Sequence, residues 1–254
     1  MFLVLKRKDI VKVTAILIVA VFLAAAVGAS GTAHVFLGRS NRRVPVYSVA
    51  TEEKKVALTF DAAWGADKTK GIIELLKKYE ADGTFFLVGF WISKYPEETK
   101  LIAESGLEIG NHSNNHLKMS KLNTDDIKYE IETVNRQIEE LTGKTPKYFR
   151  PPFGDYNNKL IEGVEELNMI PVQWSVDSLD WKGISAKEIA SRVLSKVHSG
   201  AIILFHNNSD NILDALPIIL SQLQTQGYKM VSIDELVLTE NYYVDSQGKQ
   251  HTAQ

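Results

Sequence analysis

The sequence predicts an α/β protein: a distorted or incomplete (β/α) barrel, preceded by an N-terminal signal or membrane-anchor helix. Three observations carry this reading. Seven short apolar segments alternate with helix-like ones between about residues 54 and 238, which argues for a parallel sheet covered by helices. Titratable residues gather just after five of those segments, where the active sites of barrels and open α/β sheets are built. Finally, Lys6-Arg7-Lys8 and Lys12 precede an uncharged run from Val13 to Ala29, the pattern of an export signal or an anchor. A doubly wound sheet is the alternative architecture.

In chain order, residues 1–30 read as signal peptide or membrane anchor, with Val27-Gly28-Ala29 a small-residue cleavage site before Ser30. Residues 31–53, which include Gly38, Arg39, Arg42, Arg43 and Pro45, read as a linker. The main domain follows over 54–238. Strands are expected at 55–60, 84–88, 108–110, 148–150, 170–176, 201–205 and 229–231. A helix over 67–79 carries Ile72, Ile73, Leu75 and Leu76, with Asp67 as its cap. A second, over 124–142, sets Ile127, Ile131, Val134, Ile138 and Leu141 on one stripe and stops at Gly143. Ser185 with Glu188 forms a capping box that opens a helix over 186–197. The last helix, 212–226, ends before Gly227. Residues 239–254 are a polar tail expected to lack fixed structure.

With 254 residues and 44% apolar content, the chain can bury a full core. Its formal charge of −2 offers no field for nucleic acid, so no DNA or RNA partner is expected. It has no cysteine, which leaves His, carboxylates and water as the available metal ligands. The basic N-terminus places the action outside the cytoplasm, membrane-anchored or secreted.

Five polar clusters carry the chemistry. His112-Ser113-Asn114-Asn115-His116 sets two imidazoles four apart, on one face if that turn is helical, so both reach one divalent cation. Asp61, after the segment 56–60, faces the same mouth and suits a metal ligand, a general base, or both. Arg150-Pro151-Pro152-Phe153-Gly154 is a stiff loop fit to hold a carboxylate and to aim a backbone N–H at an oxyanion. Asp177-Ser178-Leu179-Asp180-Trp181 adds two carboxylates and an indole that can wall a sugar groove. His206, after the apolar run 202–205, is a general-acid candidate whose pKa a neighbouring carboxylate would raise.

Taken together, these residues resemble carbohydrate esterase family 4, the polysaccharide deacetylases with the NodB-homology domain. Thr59-Phe60-Asp61 is similar to that family's Thr-Phe-Asp-Asp-Gly, and His112 to His116 fits His-Ser/Thr-x-x-His. Arg150 to Gly154 fits Arg-x-x-aromatic-Gly, Asp177 to Trp181 fits Asp-x-x-Asp-Trp, and Leu204-Phe205-His206 fits Leu-x-His. Ala62-Ala63-Trp64-Gly65 looks closest to the PdaB-like deacetylases of spore-forming bacteria, which implies spore-wall maturation. The resemblance implies metal-dependent removal of N-acetyl groups from glucosamine or muramic acid polymers of the cell wall. It makes Asp61 the base held by Arg150, and His112 and His116 ligands of a divalent metal: zinc, or else cobalt or manganese. It makes His206 the acid tuned by Asp180, the Phe153 N–H an oxyanion donor, and Leu204 and Trp181 walls of the acetyl and sugar pockets. Ala62 departs from the pattern, because the family has its third metal ligand there.

Overall fold

The computed structural model describes residues 42–253; the expected signal or anchor over 1–30 lies outside them. Among the described residues no helix is long and apolar enough to cross a membrane.

The strands are β1 (Ser48–Val49), β2 (Lys55–Ala62), β3 (Thr84–Leu87), β4 (Glu108–Asn111), β5 (Tyr148–Phe149) and β6 (Ile170–Pro171). They continue with β7 (Val176–Asp177), β8 (Ala201–His206), β9 (Lys229–Val231), β10 (Tyr242–Val244) and β11 (Lys249–Thr252). All belong to one sheet in the order β10-β11-β1-β8-β2-β3-β4-β5-β6, with β7 alongside β8 and β9 alongside β2. Pairing from β8 through β6 is parallel, as the alternating sequence predicts. The helices are α1 (Thr69–Lys78), α2 (Gly89–Lys94), α3 (Pro96–Glu104), α4 (Thr124–Thr142), α5 (Asn158–Glu166), α6 (Ala186–Leu194), α7 (Ile212–Thr225) and α8 (Ile233–Leu236).

The two-residue period of a strand decides which side chains reach the site. On β2, Val56, Leu58 and Phe60 join the large apolar cluster shared with the helices, and on β8 Ala201, Ile203 and Phe205 do the same. The intervening Ala57 and Ile202 pack with Phe86, Tyr148 and Val172 in a second cluster on the opposite face. Continuing that second alternation brings Thr59 and Asp61 on β2, and Leu204 and His206 on β8, to the concave face. The register pairs Asp61 with His206. Two titratable groups thus stand side by side at the carboxyl ends of adjacent strands.

The barrel is distorted between β6 and β8, which no pairing joins among the described residues. The amino-terminal segment fills that gap: Val46 bridges Val172 in parallel, and Ser48 pairs with Ala201 on β8. Val46 and Ser48–Val49, within the linker expected over 31–53, therefore enter the sheet. The tail beyond 239 is likewise not structureless. β10 and β11 form an antiparallel hairpin, and β11 runs parallel to β1. His251 Nε2 pairs with Asp245 Oδ2 at 3.0 Å, so its polar residues satisfy one another rather than solvent alone.

Helix ends follow their local chemistry. Asn123 caps α4 by accepting from Asp126 N, and Gly143 closes it at φ 70°, a left-handed conformation that costs glycine nothing. The Ser185–Glu188 capping box is present at α6. Asp67 does not cap α1: the N-cap position is Lys68, without a side-chain bond, and Asp67 instead pairs with Lys68 Nζ at 3.3 Å. The single strand expected over 170–176 divides into β6 and β7.

Candidate active site

Arg150 follows β5 and is fully buried. Its Nη1 donates to Asp61 Oδ1 at 2.8 Å and to Thr59 Oγ1 at 2.9 Å, and its Nη2 donates to the Gln173 carbonyl at 3.2 Å. The guanidinium carbon lies 4.1 Å from the centre of the Phe86 ring, a cation–π contact inside the barrel. Burial alone pushes the Asp61 carboxyl up. Arg150 first, then His112 and His206, outweigh that and hold it below its ordinary value, so Asp61 is an ionised carboxylate. Its other oxygen, Oδ2, is 3.4 Å from His112 Nε2.

His112 and His116 do not share a helical turn. They lie in a loop after β4 in which Ser113 and His116 adopt φ of 66° and 51°. The loop still converges the rings, with centroids 5.0 Å apart. His112 Nδ1 is 2.7 Å from the Arg150 carbonyl; a carbonyl only accepts, so this nitrogen carries the proton and Nε2 presents a lone pair to the cleft. Burial holds the pKa of His112 down. For His116, burial and then His112 push it down to about 4. Both rings are therefore neutral nitrogen donors near pH 7.

The loop is held from below. His116 N donates to Ser113 Oγ at 3.0 Å, and Ser113 N to Asn111 Oδ1 at 2.8 Å. Asn111 Nδ2 reaches Asn135 Oδ1 and the Ile131 carbonyl of α4, each at 2.8 Å. Glu130, also on α4 and buried, accepts from Asn115 N at 2.8 Å and from Asn115 Nδ2 at 2.6 Å. The sequence reading did not single out Glu130 or Asn135. The available signal was their position: Glu130 lies three residues after Ile127 and four before Val134, a charge inside the apolar stripe of α4.

On the other wall, Asp180 is buried and grips His206 twice. His206 Nδ1 is 2.7 Å from Asp180 Oδ1, and the His206 backbone N–H donates to Asp180 Oδ2 at 2.8 Å. Burial pulls the His206 pKa down, but Asp180 more than reverses this and the net shift is upward. Because Nδ1 faces Asp180, Nε2 is the nitrogen left for a ligand.

Between these walls runs a cleft of about 620 Å³ lined by Asp61, His112, His116, Phe153, Leu204 and His206, with Trp181 and Trp174 on its flank. The structure thus brings together every site residue expected from the sequence. Leu204 is buried, whereas the Phe153 and Trp181 side chains are 60% and 59% exposed. Phe153 has φ 60° in the turn Pro152–Gly154, and its ring meets His116 edge-on at 4.5 Å. Trp174 is a lining residue that the sequence reading treated only as part of a strand.

The donor set tests the metal expectation. A catalytic zinc usually has three protein ligands. The two imidazoles supply two, yet no group of three His, Cys, Asp or Glu among the described residues is arranged to hold an ion. Ala62 is fully buried in the apolar cluster that includes Val88 and Trp91. The residues present fall short of a complete three-ligand centre.

Comparison with known proteins follows the same lines. A family model described as polysaccharide deacetylase matches residues 48–172. The Bacillus subtilis protein YlxY is 37% identical over 193 residues, 76% of this chain and 60% of that protein. A peptidoglycan-N-acetylglucosamine deacetylase of Bacillus cereus is 36% identical over 197 residues, 76% of this chain and 72% of the relative. Among solved structures, BA3943 of Bacillus anthracis, described as a CE4 family pseudoenzyme, superposes with a TM-score of 0.74 at 32% identity, covering 83% of this chain and 73% of that one. A BA3943 mutant is described as having restored enzymatic activity. The chain spans less than two thirds of the length of YlxY, the first of these relatives.

Proposed function

Since this chain belongs to the polysaccharide deacetylase family, carbohydrate esterase family 4, we propose that it hydrolyses N-acetyl groups from an amino-sugar polymer of the cell wall, peptidoglycan or spore-wall N-acetylglucosamine or N-acetylmuramic acid. The observation that carries this reading is the register of Asp61 against His206 on adjacent strands, each backed by its own buried partner, Arg150 and Asp180. A glycan-binding groove alone has no use for a carboxylate held in its ionised form and, across the same cleft, an imidazole whose protonated form a buried carboxylate favours.

In this mechanism the acetamide lies over Leu204. Asp61 takes a proton from water as its oxygen attacks the acetyl carbon. The developing oxyanion receives the Phe153 N–H. His206 Nε2 delivers a proton to the sugar nitrogen as the carbon–nitrogen bond breaks, leaving acetate and a free amine. Arg150 keeps Asp61 ionised and aimed, Asp180 does the same for the charged form of His206, and Trp181 offers a face to the sugar. Family members are generally metal-dependent. A divalent cation, zinc or else cobalt or manganese, would take His112 and His116 as ligands and polarise the acetyl carbonyl. Two relatives are named as peptidoglycan deacetylases, and a wall polymer as substrate supports an extracytoplasmic site for this chain, secreted or held at the membrane by its N-terminal segment. A spore-envelope role rests on the likeness of 62–65 to PdaB-like proteins.

A second reading is a wall-glycan-binding protein without catalysis, favoured by Ala62. Acetate release from peptidoglycan and chitooligosaccharides, with and without added Zn²⁺, Co²⁺ or Mn²⁺, separates the two. Release above the rate of a His206→Ala control establishes the enzyme; its absence under every metal, with glycan still bound, establishes the binder.

A further inference from the structure

We propose that Asn207 is a positioning residue: it fixes His206 relative to Asp61 by fastening the end of β8 to the turn that follows β2. The inference rests on the deacetylase reading above and names the group on which the spacing of its base and acid depends.

Asn207 follows the acid directly and is fully buried. β8 ends at His206, and the register of β2 with β8 ends at the Asp61–His206 pair. Asn207 supplies the links beyond that point. Its backbone N–H donates to the Asp61 carbonyl at 3.1 Å. Its Nδ2 donates to the Gly65 carbonyl at 2.9 Å and to Thr69 Oγ1, at the start of α1, at 3.4 Å. One residue thus holds the base by its main chain and the turn beyond the base by its side chain, and its neighbour in sequence is the acid. Ser209 fastens the same turn to the opposite wall: its N donates to the His206 carbonyl at 3.3 Å and its Oγ to the Asp180 carbonyl at 3.0 Å.

The energetics of Asn207 favour this role over plain support of the fold. The Gly65 carbonyl also accepts the indole N–H of buried Trp91 at 2.6 Å, so the turn does not need Asn207 to satisfy it. Asn207 Oδ1 is buried and meets no hydrogen-bond donor among the described residues. That atom carries a desolvation penalty which an apolar side chain would avoid. Removing the amide therefore takes away two donated bonds and one unmet acceptor together, with little net change in stability. Proton transfer is less forgiving. A general acid must lie within hydrogen-bond reach of the leaving atom, and a misplacement of about 1 Å lowers the rate by up to about 10²-fold. The side chain matters more to the spacing of Asp61 and His206 than to the survival of the fold.

Acetate release from tetraacetylchitotetraose by the full chain, supplied with Zn²⁺, Co²⁺ or Mn²⁺, tests this together with calorimetric binding of the same oligomer and thermal unfolding. Asn207→Ala is expected to lower kcat by about 10–100-fold, to leave the glycan Kd within about twofold, and to melt within about 5 °C of the wild type. In a His206→Ala background the same substitution should change kcat by less than about twofold, because the group being positioned is already gone. A raised KM with kcat unchanged, the full loss repeated in the His206→Ala background, or a variant that melts further below the wild type would each overturn the proposal. Proton NMR reads the position without turnover. The Nδ1 proton that His206 directs at Asp180, identified by its loss in His206→Ala, should exchange with solvent several-fold faster in Asn207→Ala, and unchanged exchange overturns the positioning role. A wild type that releases no acetate under any metal overturns the hydrolysis reading alone, since the His206 proton still decides whether Asn207 holds that ring.

Discussion

Ala62→Asp places a carboxylate where the family carries its third metal ligand, and the structure sets what this should cost. Ala62 has no exposed surface and belongs to the apolar cluster that includes Val88, Trp91 and Ile92, while its backbone is paired with Leu87 on β3. An acid introduced there without a partner loses hydration and gains no hydrogen bond, at a cost of about 2–4 kcal/mol. At roughly 2–4 °C per kcal/mol for a body of this size, the metal-free variant should melt on the order of 4–16 °C below the wild type. Position 62 belongs to the helix-facing alternation of β2, so a cation held by the new carboxylate together with His112 and His116 reverses the penalty only where the end of the strand turns that side chain toward the cleft. With free zinc at one hundred times the dissociation constant, the gain is about 2.7 kcal/mol, whereas the wild type, with two imidazoles, should gain less at the same zinc concentration. The assay is thermal unfolding of both forms with and without zinc, followed by calorimetric titration of the ion. A variant as stable as the wild type without metal, or one that gains no more from zinc than the wild type, would refute the reasoning that position 62 is the missing ligand position. The restored activity described for a BA3943 mutant makes the accompanying acetate assay worth running on the same samples.

Three further outcomes are expected. His206→Ala should lower turnover by about 10²–10⁴-fold while leaving glycan affinity in place, and Asp180→Asn should move the alkaline limb of the pH–rate profile to lower pH. The sign follows from Asp180 raising the His206 pKa: the protonated acid persists to higher pH only while that partner is charged, and an unmoved limb would contradict the pairing. Arg150→Ala should destabilise the fold by about 3–5 kcal/mol, because it strands a buried carboxylate, and Asp61→Asn on top of it should recover part of that loss; denaturant titration of the single and double variants reads this directly. Glu108, at the amino-terminal end of β4, accepts from Thr84 Oγ1 at 2.7 Å and Asp234 N at 3.1 Å, and burial pushes its pKa from 4.5 up to about 7. A raised carboxyl favours the fold below its unfolded pKa, and that contribution is lost as pH rises through the folded value. Glu108→Gln should therefore gain on the wild type between pH 4.5 and 7, by roughly 2 kcal/mol; parallel stability curves for the two would refute it.

The parts of the site written as local motifs were legible in the chain, and the parts made by tertiary pairing were not. Asp61, Arg150 and His206 each follow an apolar segment directly, so strand geometry alone sends them to one end of the sheet, and period-two alternation then puts Asp61 and His206 on one face. The imidazole pair was legible as a pair but not as a shape. Four-residue spacing suits a helix, yet Ser113 and His116 take left-handed backbone angles, because Asn111, Asn135 and Glu130 bond the loop to α4 more favourably than a helical turn would satisfy it. That choice depends on residues up to 24 positions away, beyond the reach of a local pattern. The same holds at the chain's edges. Residues 46–49 are too short and residues 242–252 too polar to announce strands, and they pair where the gap between β6 and β8 leaves backbone groups that need partners. Val46 supplies them to Pro171 and Gln173 at 2.9 and 2.7 Å, β1 continues to β8, and the tail hairpin then covers the edge that β1 would otherwise expose. The distortion of the barrel and the order of its two ends therefore have one cause: a circle of strands that does not close on its own.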